Sequence, residues 1–248
     1  MIWRRILKRL TGEKPNVLHY IVEVSLIIVS ILVAIQADRY QQNKKNQEKL
    51  TSYLEAVYQD LVDEQVRNQN NLDDCEQDIK NITRSLRLSQ VNQDDSLNVA
   101  LRNFGIVVTR GVFRAFPPMT FDIMLQTGDI ALIKDLDFRS RLASTFSFRD
   151  DYVKLDLLDF NIQTREASKA LAQYGNLSCM YSHTDVQICL TDREGFITHF
   201  HNELFSLLRT AQVRAFHLHN AVRYFDKTIK VMEELYGFKQ EKVEEKTQ

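Results

Sequence analysis

Residues 17–37 read VLHYIVEVSLIIVSILVAIQA, and this stretch decides how the rest of the chain is organised. A helix of this length rises about 31 Å, at about 1.5 Å per residue, which matches the hydrocarbon core of a bilayer. Between Val24 and Ile35 only two serines interrupt the apolar side chains, and polar residues cluster at both ends. The pattern predicts a single transmembrane helix over residues 17–37.

Two other structures share a hydrophobic stretch near the N-terminus, namely a buried core helix and a cleaved signal peptide. Core helices rarely stay apolar over so many residues. A signal-peptide cleavage site would have to use Ile35, Gln36 and Ala37, and Ile35 is bulky where a small residue is required. We therefore expect an anchor that remains attached to the chain.

The segment ahead of the anchor, residues 1–16, predicts a basic amphipathic helix on the membrane surface. Its apolar residues recur at helical spacing, and a tryptophan is placed for the headgroup level. Residues 1–16 carry five Lys or Arg, against four in residues 38–53. The anionic cytoplasmic leaflet attracts such segments, so we expect a cytoplasmic N-terminus and a periplasmic C-terminal domain at a bacterial inner membrane. The predicted membrane-surface residues are Trp3, Arg4, Arg5, Lys8 and Arg9.

A long helix is expected to follow the anchor, because no glycine or proline occurs between Pro15 and Gly105. We assign residues 38–93 to a stalk that is helical to about residue 89. Apolar residues recur along this helix at heptad-like spacing and form a seam. The seam can pack on other helices of the same chain or form a coiled coil between chains, and the sequence leaves both interpretations open. The seam is Leu50, Leu54, Val57 and Leu61, then a stutter through Gln65 and Asn68, then Leu72, Cys75, Ile79, Ile82 and Leu86.

The remainder predicts a helical bundle over residues 94–238 and a polar tail over residues 239–248. We expect a short helix from Asp94 to Phe104, an irregular connection over residues 106–118, and a helix from Thr120 ended by Gly128. A long helix should follow from Asp135 to Tyr174, and another from a capping box at Thr191 to Tyr236, ended by Gly237. The apolar side expected for the first of these long helices is Leu142, Phe146, Tyr152, Leu155, Leu158 and Ile162.

Composition supports an all-α chain with no nucleic-acid partner. The chain has 32 basic and 33 acidic residues and a net charge of −1, so it lacks the basic surface that nucleic acid attracts. Seven glycines and three prolines in 248 residues are too few for the many turns of a β-sandwich or barrel. We therefore expect a transmembrane helix that continues into a long helix, followed by an extramembrane helical bundle.

Two segments resemble a large family of uncharacterised bacterial single-pass membrane proteins. The first is residues 22–50, VEVSLIIVSILVAIQADRYQQNKKNQEKL, and the second is residues 120–142, TFDIMLQTGDIALIKDLDFRSRL. The family pairs an N-terminal anchor bearing an intramembrane glutamate with a helical domain of unknown function. Many such anchors carry glycine beside this glutamate, where the present chain has Val22. The resemblance implies the architecture but no activity or cofactor, and its second motif is carried by Leu125, Thr127, Gly128, Leu132, Ile133 and Arg139.

Glu23 is the most informative single residue, because an ionisable group within a membrane span is costly. One face of the predicted span combines it with small and polar residues, which is what helices in lipid use to associate. We therefore expect a homo-oligomer with Glu23 facing inward, and the alternative is that Glu23 snorkels or is protonated near the interface. This anchor face consists of Glu23, Ile27, Ser30, Ala34 and Ala37.

The cysteines and histidines offer weaker signals. Cys179 and Cys189 bracket a short loop and predict a disulfide if the domain lies in an oxidising compartment. Free thiols remain open, as does a zinc site in which His183 and Asp185 join them. The pairs His199/His201 and His217/His219 are two residues apart on predicted helices and so point about 200° apart, which excludes chelation within either pair.

No nucleophile elbow, zinc-binding helix or phosphate loop occurs in the sequence, so we expect no catalysis and no cofactor. The leading interpretation is an inner-membrane protein that projects a helical domain for scaffolding, assembly or sensing. Its expected partners are the lipid bilayer, further copies of itself, and other membrane or periplasmic proteins. The alternative is an ion-conducting or membrane-permeabilising homo-oligomer, and an enzyme whose site assembles from scattered polar residues is a third possibility.

Overall fold

The computed structural model describes residues 17–90, 93–110 and 119–239. Within these residues the structure is all-α, and the only β-type pairing there is an isolated antiparallel bridge between Gly175 and Leu190. The chain divides into two compact units, Met1–Ser52 and Tyr53–Gln248.

The first helix, α1 (Val17–Ser89), is 73 residues long and contributes to both units. It begins directly after Pro15 and Asn16 and ends at the position predicted from the absence of glycine and proline. No backbone break separates the apolar stretch from the more polar part of the helix.

Six further α-helices follow among the described residues. They are α2 (Asp94–Arg110), α3 (Thr120–Thr127), α4 (Leu136–Phe148), α5 (Lys154–Leu171), α6 (Leu177–Ser182) and α7 (Arg193–Tyr236). Five residues of π-helix, Arg149–Val153, join α4 to α5 without a loop. Short 3₁₀ turns lie at Asp129–Leu132 and Gln187–Cys189.

Local chemistry accounts for several helix ends. Gly128 and Gly237 end α3 and α7 with φ of 76° and 73°, a left-handed conformation that favours glycine, and both predicted stops are confirmed. The side chain of Asp135 caps α4 by accepting from the backbone N–H of Phe138. The start of α7 differs by one residue from the prediction, because Asp192 and not Thr191 supplies the capping oxygen.

The core of the second unit forms around α7, the longest helix that lies wholly within it. Three contacts fix α1 antiparallel to α7: Tyr58 with Glu233, Cys75 with Ala211, and Ser89 with His201. The helix α5 is also antiparallel to α7, because Asp156 contacts His217 and the Arg214 guanidinium lies 5.1 Å from the Phe160 ring centre. Within this unit, α1 and α5 therefore run in the same direction.

Most of the predicted seam of α1 from Leu54 onward is buried against helices of the same chain, with Ile79 and Leu86 half-buried. This favours packing within the chain over residues 53–89. The seam also passes through Glu64 and not Gln65, so its middle carries a carboxylate and the amide of Asn68. The buried residues of α1 include Leu54, Val57, Leu61, Glu64, Asn68, Leu72, Cys75, Asp78, Ile82 and Ser85.

The compact unit begins at Tyr53, so the residues assigned to a stalk from that point onward belong to the bundle. Two further expectations are wrong. The helix α2 continues past Gly105 to Arg110, where an irregular connection was expected. The segment from Asp135 to Tyr174 is not one helix, because a π-helix interrupts it and α5 ends at Leu171.

The expected apolar side of that segment is also wrong beyond Phe146. Six residues separate Phe146 from Tyr152, which corresponds to about 240° around an α-helix. Leu155, Leu158 and Ile162 of α5 consequently lie on the face opposite Phe160 and are exposed. The inward face of α5 is Phe160, Thr164, Ala167 and Leu171, which includes smaller and polar side chains.

Candidate functional site

The anchor face lies on a helix that is long and apolar enough to cross a membrane. An 18-residue window of α1 has a mean hydropathy of 2.3, and none of it is buried against the rest of the described chain. The members of the anchor face, Glu23, Ile27, Ser30, Ala34 and Ala37, are all exposed. Steps of three and four residues keep them on one side of the helix.

Hydrogen bonds within the helix already satisfy the hydroxyls of the span. Ser30 Oγ donates to the Leu26 carbonyl at 2.7 Å, and Ser25 Oγ donates to the Ile21 carbonyl at 2.7 Å. A serine bonded in this way behaves as a small residue, which permits the close helix approach seen at membrane interfaces. If this helix spans a membrane, Glu23 is the group on this face with the strongest need for a partner.

The predicted membrane-surface residues, Trp3, Arg4, Arg5, Lys8 and Arg9, lie outside the described residues. The polar tail from residue 240 onward also lies outside them. The amphipathic segment and its orientation signal therefore stay predictions from the sequence.

Cys179 and Cys189 form a disulfide in the structure, with Cα atoms 5.6 Å apart. It joins α6 to the 3₁₀ turn at Gln187–Cys189, in the connection between α5 and α7. Gly175 lies beside this connection, and a Cβ placed there would be 2.5 Å from the Cys189 carbonyl oxygen. The third cysteine, Cys75, is a free thiol in the core, and burial raises its pKa to about 11.

The π-helix turns Arg149 into the bundle, where only 3% of its surface is exposed. Its guanidinium binds Asp150 at 2.8 Å and lies 3.7 Å from the Asp122 carboxylate on α3. Glu64 on α1 is fully buried nearby, and Arg67 binds its carboxylate at 2.9 Å. Burial raises the pKa of Glu64, although the charges of Arg67 and Arg149 oppose this shift. Arg149 thereby links α1, α3 and the π-helix through charge.

A second polar contact joins α5 to α7. His217 Nδ1 lies 2.5 Å from an Asp156 carboxylate oxygen, and about a fifth of each side chain is exposed. Burial raises the pKa of Asp156, and its hydrogen bond with His217 opposes this shift. Tyr152 lies 5.0 Å from the His217 ring, and Phe148 stacks on Tyr152 at 4.8 Å.

Both polar clusters connect helices to one another. The surroundings of Asp156 and His217 include the Tyr152 ring, the Arg214 guanidinium, whose charge opposes the rise in the Asp156 pKa, and the buried Cys75 thiol, whose pKa the charge of Asp156 raises. Sequence reasoning missed Arg149, Glu64 and the Asp156–His217 pair. Asp156 and His217 are 61 residues apart in the sequence, and no local sequence pattern predicts a contact between them.

Two of the other histidines, His199 and His201, each contact a polar side chain of another helix or connection. Tyr174 and His199 share a hydrogen bond of 3.0 Å, and Ser89 lies 3.4 Å from His201. Over residues 17–90, 93–110 and 119–239, no group of three or more His, Cys, Asp or Glu side chains is placed to hold a metal ion.

Comparison of the chain with family models, with characterised proteins and with solved structures finds no match. The resemblance to single-pass membrane proteins therefore stays a prediction.

Proposed function

We propose that the chain is a membrane-anchored helical protein of the bacterial inner membrane, with a scaffolding, assembly or sensing role and no catalytic activity. The observation that carries this proposal is the uncovered apolar length of α1. Every large aliphatic side chain from Ile21 to Ile35 is at least 44% exposed.

Water is an unsuitable environment for this segment. Soluble monomers rarely expose contiguous apolar patches beyond about 600 Å², and from Val24 to Ile35 only two serines interrupt the exposed apolar side chains. An α-helix satisfies its backbone hydrogen bonds internally, so it pays no polar cost in lipid. A bilayer therefore covers this surface without any further protein.

The orientation rests on two supports. The basic excess of residues 1–16 favours a cytoplasmic N-terminus. The Cys179–Cys189 disulfide favours an oxidising compartment for the helical domain, which in a bacterium is the periplasm.

The proposed scaffolding role is supported by the contacts that the charged groups of the domain make. The described clusters around Arg149 and His217 link helices to one another. The ends and outer faces of the helices are consequently the parts available to other proteins.

Carbonate extraction and topology mapping test the proposal. We expect the full chain to stay in the pellet when vesicles are washed at alkaline pH. We also expect that, of two reporters fused after Gln248, the one that functions only in the periplasm will be active and the one that functions only in the cytoplasm will be inactive. Release of the intact chain into the supernatant would contradict the anchor. A reporter that is active only in the cytoplasm would contradict the orientation.

An ion-conducting oligomer is the alternative, and Glu23 is the residue that favours it. If several anchors associate through the anchor face, Glu23 lines their common interior. Single-channel recording of the purified full chain in bilayers tests this. A conductance of the wild type that changes in the Glu23→Gln variant would support ion conduction. A wild type without any conductance would exclude this alternative.

A further inference from the structure

The outer face of α5 carries an aliphatic stripe made of Leu155, Leu158 and Ile162. These side chains are 55%, 43% and 37% exposed. Steps of three and four residues place them on one line along the helix, opposite the fully buried Phe160. We call these three residues the α5 stripe.

Charged residues of opposite sign border the α5 stripe on its two sides. Lys154 and Arg165 lie within about 20° of each other around the helix, and they form a basic flank. Asp159 and Glu166 also lie within about 20° of each other on the other side and form an acidic flank. Glu166 already binds Lys169 at 3.0 Å and lies 3.9 Å from Arg165 within the same helix, so the pairing between copies rests mainly on Lys154 and Asp159. All four side chains are exposed.

This asymmetry selects one way for two copies to pair. When two identical helices pair in parallel about a two-fold axis, the left flank of one faces the right flank of the other, so basic meets acidic. When they pair in antiparallel orientation, each flank faces the same flank of the other helix, so like charges meet. The parallel arrangement also places a residue opposite one five positions later, which puts Lys154 opposite Asp159 of the partner subunit.

The direction of α5 within the compact unit suits the parallel arrangement. The helix α1 runs the same way as α5, because both are antiparallel to α7. A parallel pair therefore brings the two Tyr53 residues, through which each chain continues to its anchor, to the same end of the dimer. Two chains inserted into one membrane meet this condition without rearrangement.

We infer that a second copy of this chain packs on the α5 stripe, in parallel and about a two-fold axis. Three aliphatic and four charged side chains on one helix fall short of the roughly 800 Å² that each partner buries in a stable complex. The pairing therefore relies on anchoring to raise the effective concentration of the partners, and in this respect it rests on the proposed function.

Thiol crosslinking in membranes tests the pairing. In a parallel pair the two Leu158 positions face each other, so Leu158→Cys in the full chain should form a dimer with a short membrane-permeant bismaleimide. Phe205→Cys is the matched control, because Phe205 is 66% exposed on a different helix. The wild type supplies the background, since Cys75 is buried and the other two cysteines are paired.

A charge exchange in the Leu158→Cys background tests the direction of pairing. Lys154→Glu places like charges opposite each other twice per dimer, and we expect the dimer fraction to fall at least about threefold. Adding Asp159→Lys restores opposite charges and should recover the dimer. A dimer fraction that the exchange leaves unchanged would overturn the parallel arrangement.

The same vesicles separate this inference from the proposed function when they are washed with carbonate before crosslinking. If the chain stays in the membrane and Leu158→Cys gives no more dimer than Phe205→Cys, the inference is overturned and the anchor stands. If the wash releases the chain, the anchor fails, and the tethered pairing fails with it.

Discussion

Burial of a carboxylate in a helical bundle is costly, and Glu64 shows how the chain offsets that cost. Its side chain is fully buried on α1, with Arg67 at 2.9 Å. Burial raises the pKa of Glu64 above the usual 4.5. The folded state therefore binds this proton more tightly than the unfolded state does.

We predict that Glu64→Gln flattens part of the pH dependence of stability. Because the folded pKa is raised, the contribution of Glu64 is fully favourable below pH 4.5 and is lost as the pH rises through the folded pKa. As the pH rises, the free energy of unfolding of the Glu64→Gln variant should therefore increase relative to that of the wild type. Denaturant unfolding at a series of pH values measures it, with the exposed Glu55→Gln as control. A constant difference across this range would contradict the prediction.

For Asn68, we predict that a substitution stabilises the protein. Its side-chain amide is fully buried, and among the described residues neither its nitrogen nor its oxygen has a hydrogen-bond partner. A buried polar group left unsatisfied costs about 1–3 kcal/mol. Asn68→Leu should therefore raise the free energy of unfolding by about 1–2 kcal/mol, measured by denaturant unfolding. A destabilised variant would show that the amide has a polar partner inside the bundle.

At the scale of elements, the disulfide connection between α5 and α7 is the clearest case for measurement. Loop closure of this size contributes about 2–3 kcal/mol. The double variant Cys179→Ala/Cys189→Ala should lose about that amount, and reductant should bring the wild type to the same stability. Thermal unfolding with and without reductant checks both. A wild type that does not respond to reductant would contradict the prediction.

Sequence reasoning located helices better than it located their faces. Glycine and proline positions predicted the long run of α1 and the stops at Gly128 and Gly237, because these residues act locally. The inward face of α5 was missed because Leu155, Leu158 and Ile162 are larger than Thr164 or Ala167, which are the buried residues. Size alone does not reveal which neighbours a helix meets.

The polar clusters were missed for a related reason. Glu64, Arg149 and His217 belong to three helical segments far apart in the chain, and each has an ordinary local sequence. Their partners are defined only once the bundle has formed. The anchor face could be proposed from the sequence because all its residues lie on one uninterrupted helix.

At the scale of the whole molecule, the proposed anchor would turn a weak pairing surface into an effective one. Two domains anchored in this way would search a thin layer beside the bilayer, so their encounter would depend on the amount of protein per unit of membrane area. We predict that diluting reconstituted Leu158→Cys protein with added lipid lowers the crosslinked fraction, whereas diluting the vesicles with buffer leaves it unchanged. Crosslinking at a series of lipid ratios measures this. Equal sensitivity to both dilutions would contradict tethered pairing.

The antiparallel contact between α1 and α7 has a consequence for biogenesis. The hydrogen bond from Tyr58 to Glu233 spans 175 residues, and that from Cys75 to Ala211 spans 136. The apolar seam of a nascent chain therefore stays open until its last long helix has been synthesised and delivered beside the first. Closing such distant contacts is slow, and uncovered apolar surface promotes aggregation in the meantime. A chain truncated before α7 should therefore leave this seam of α1 uncovered and aggregate more readily than the full chain.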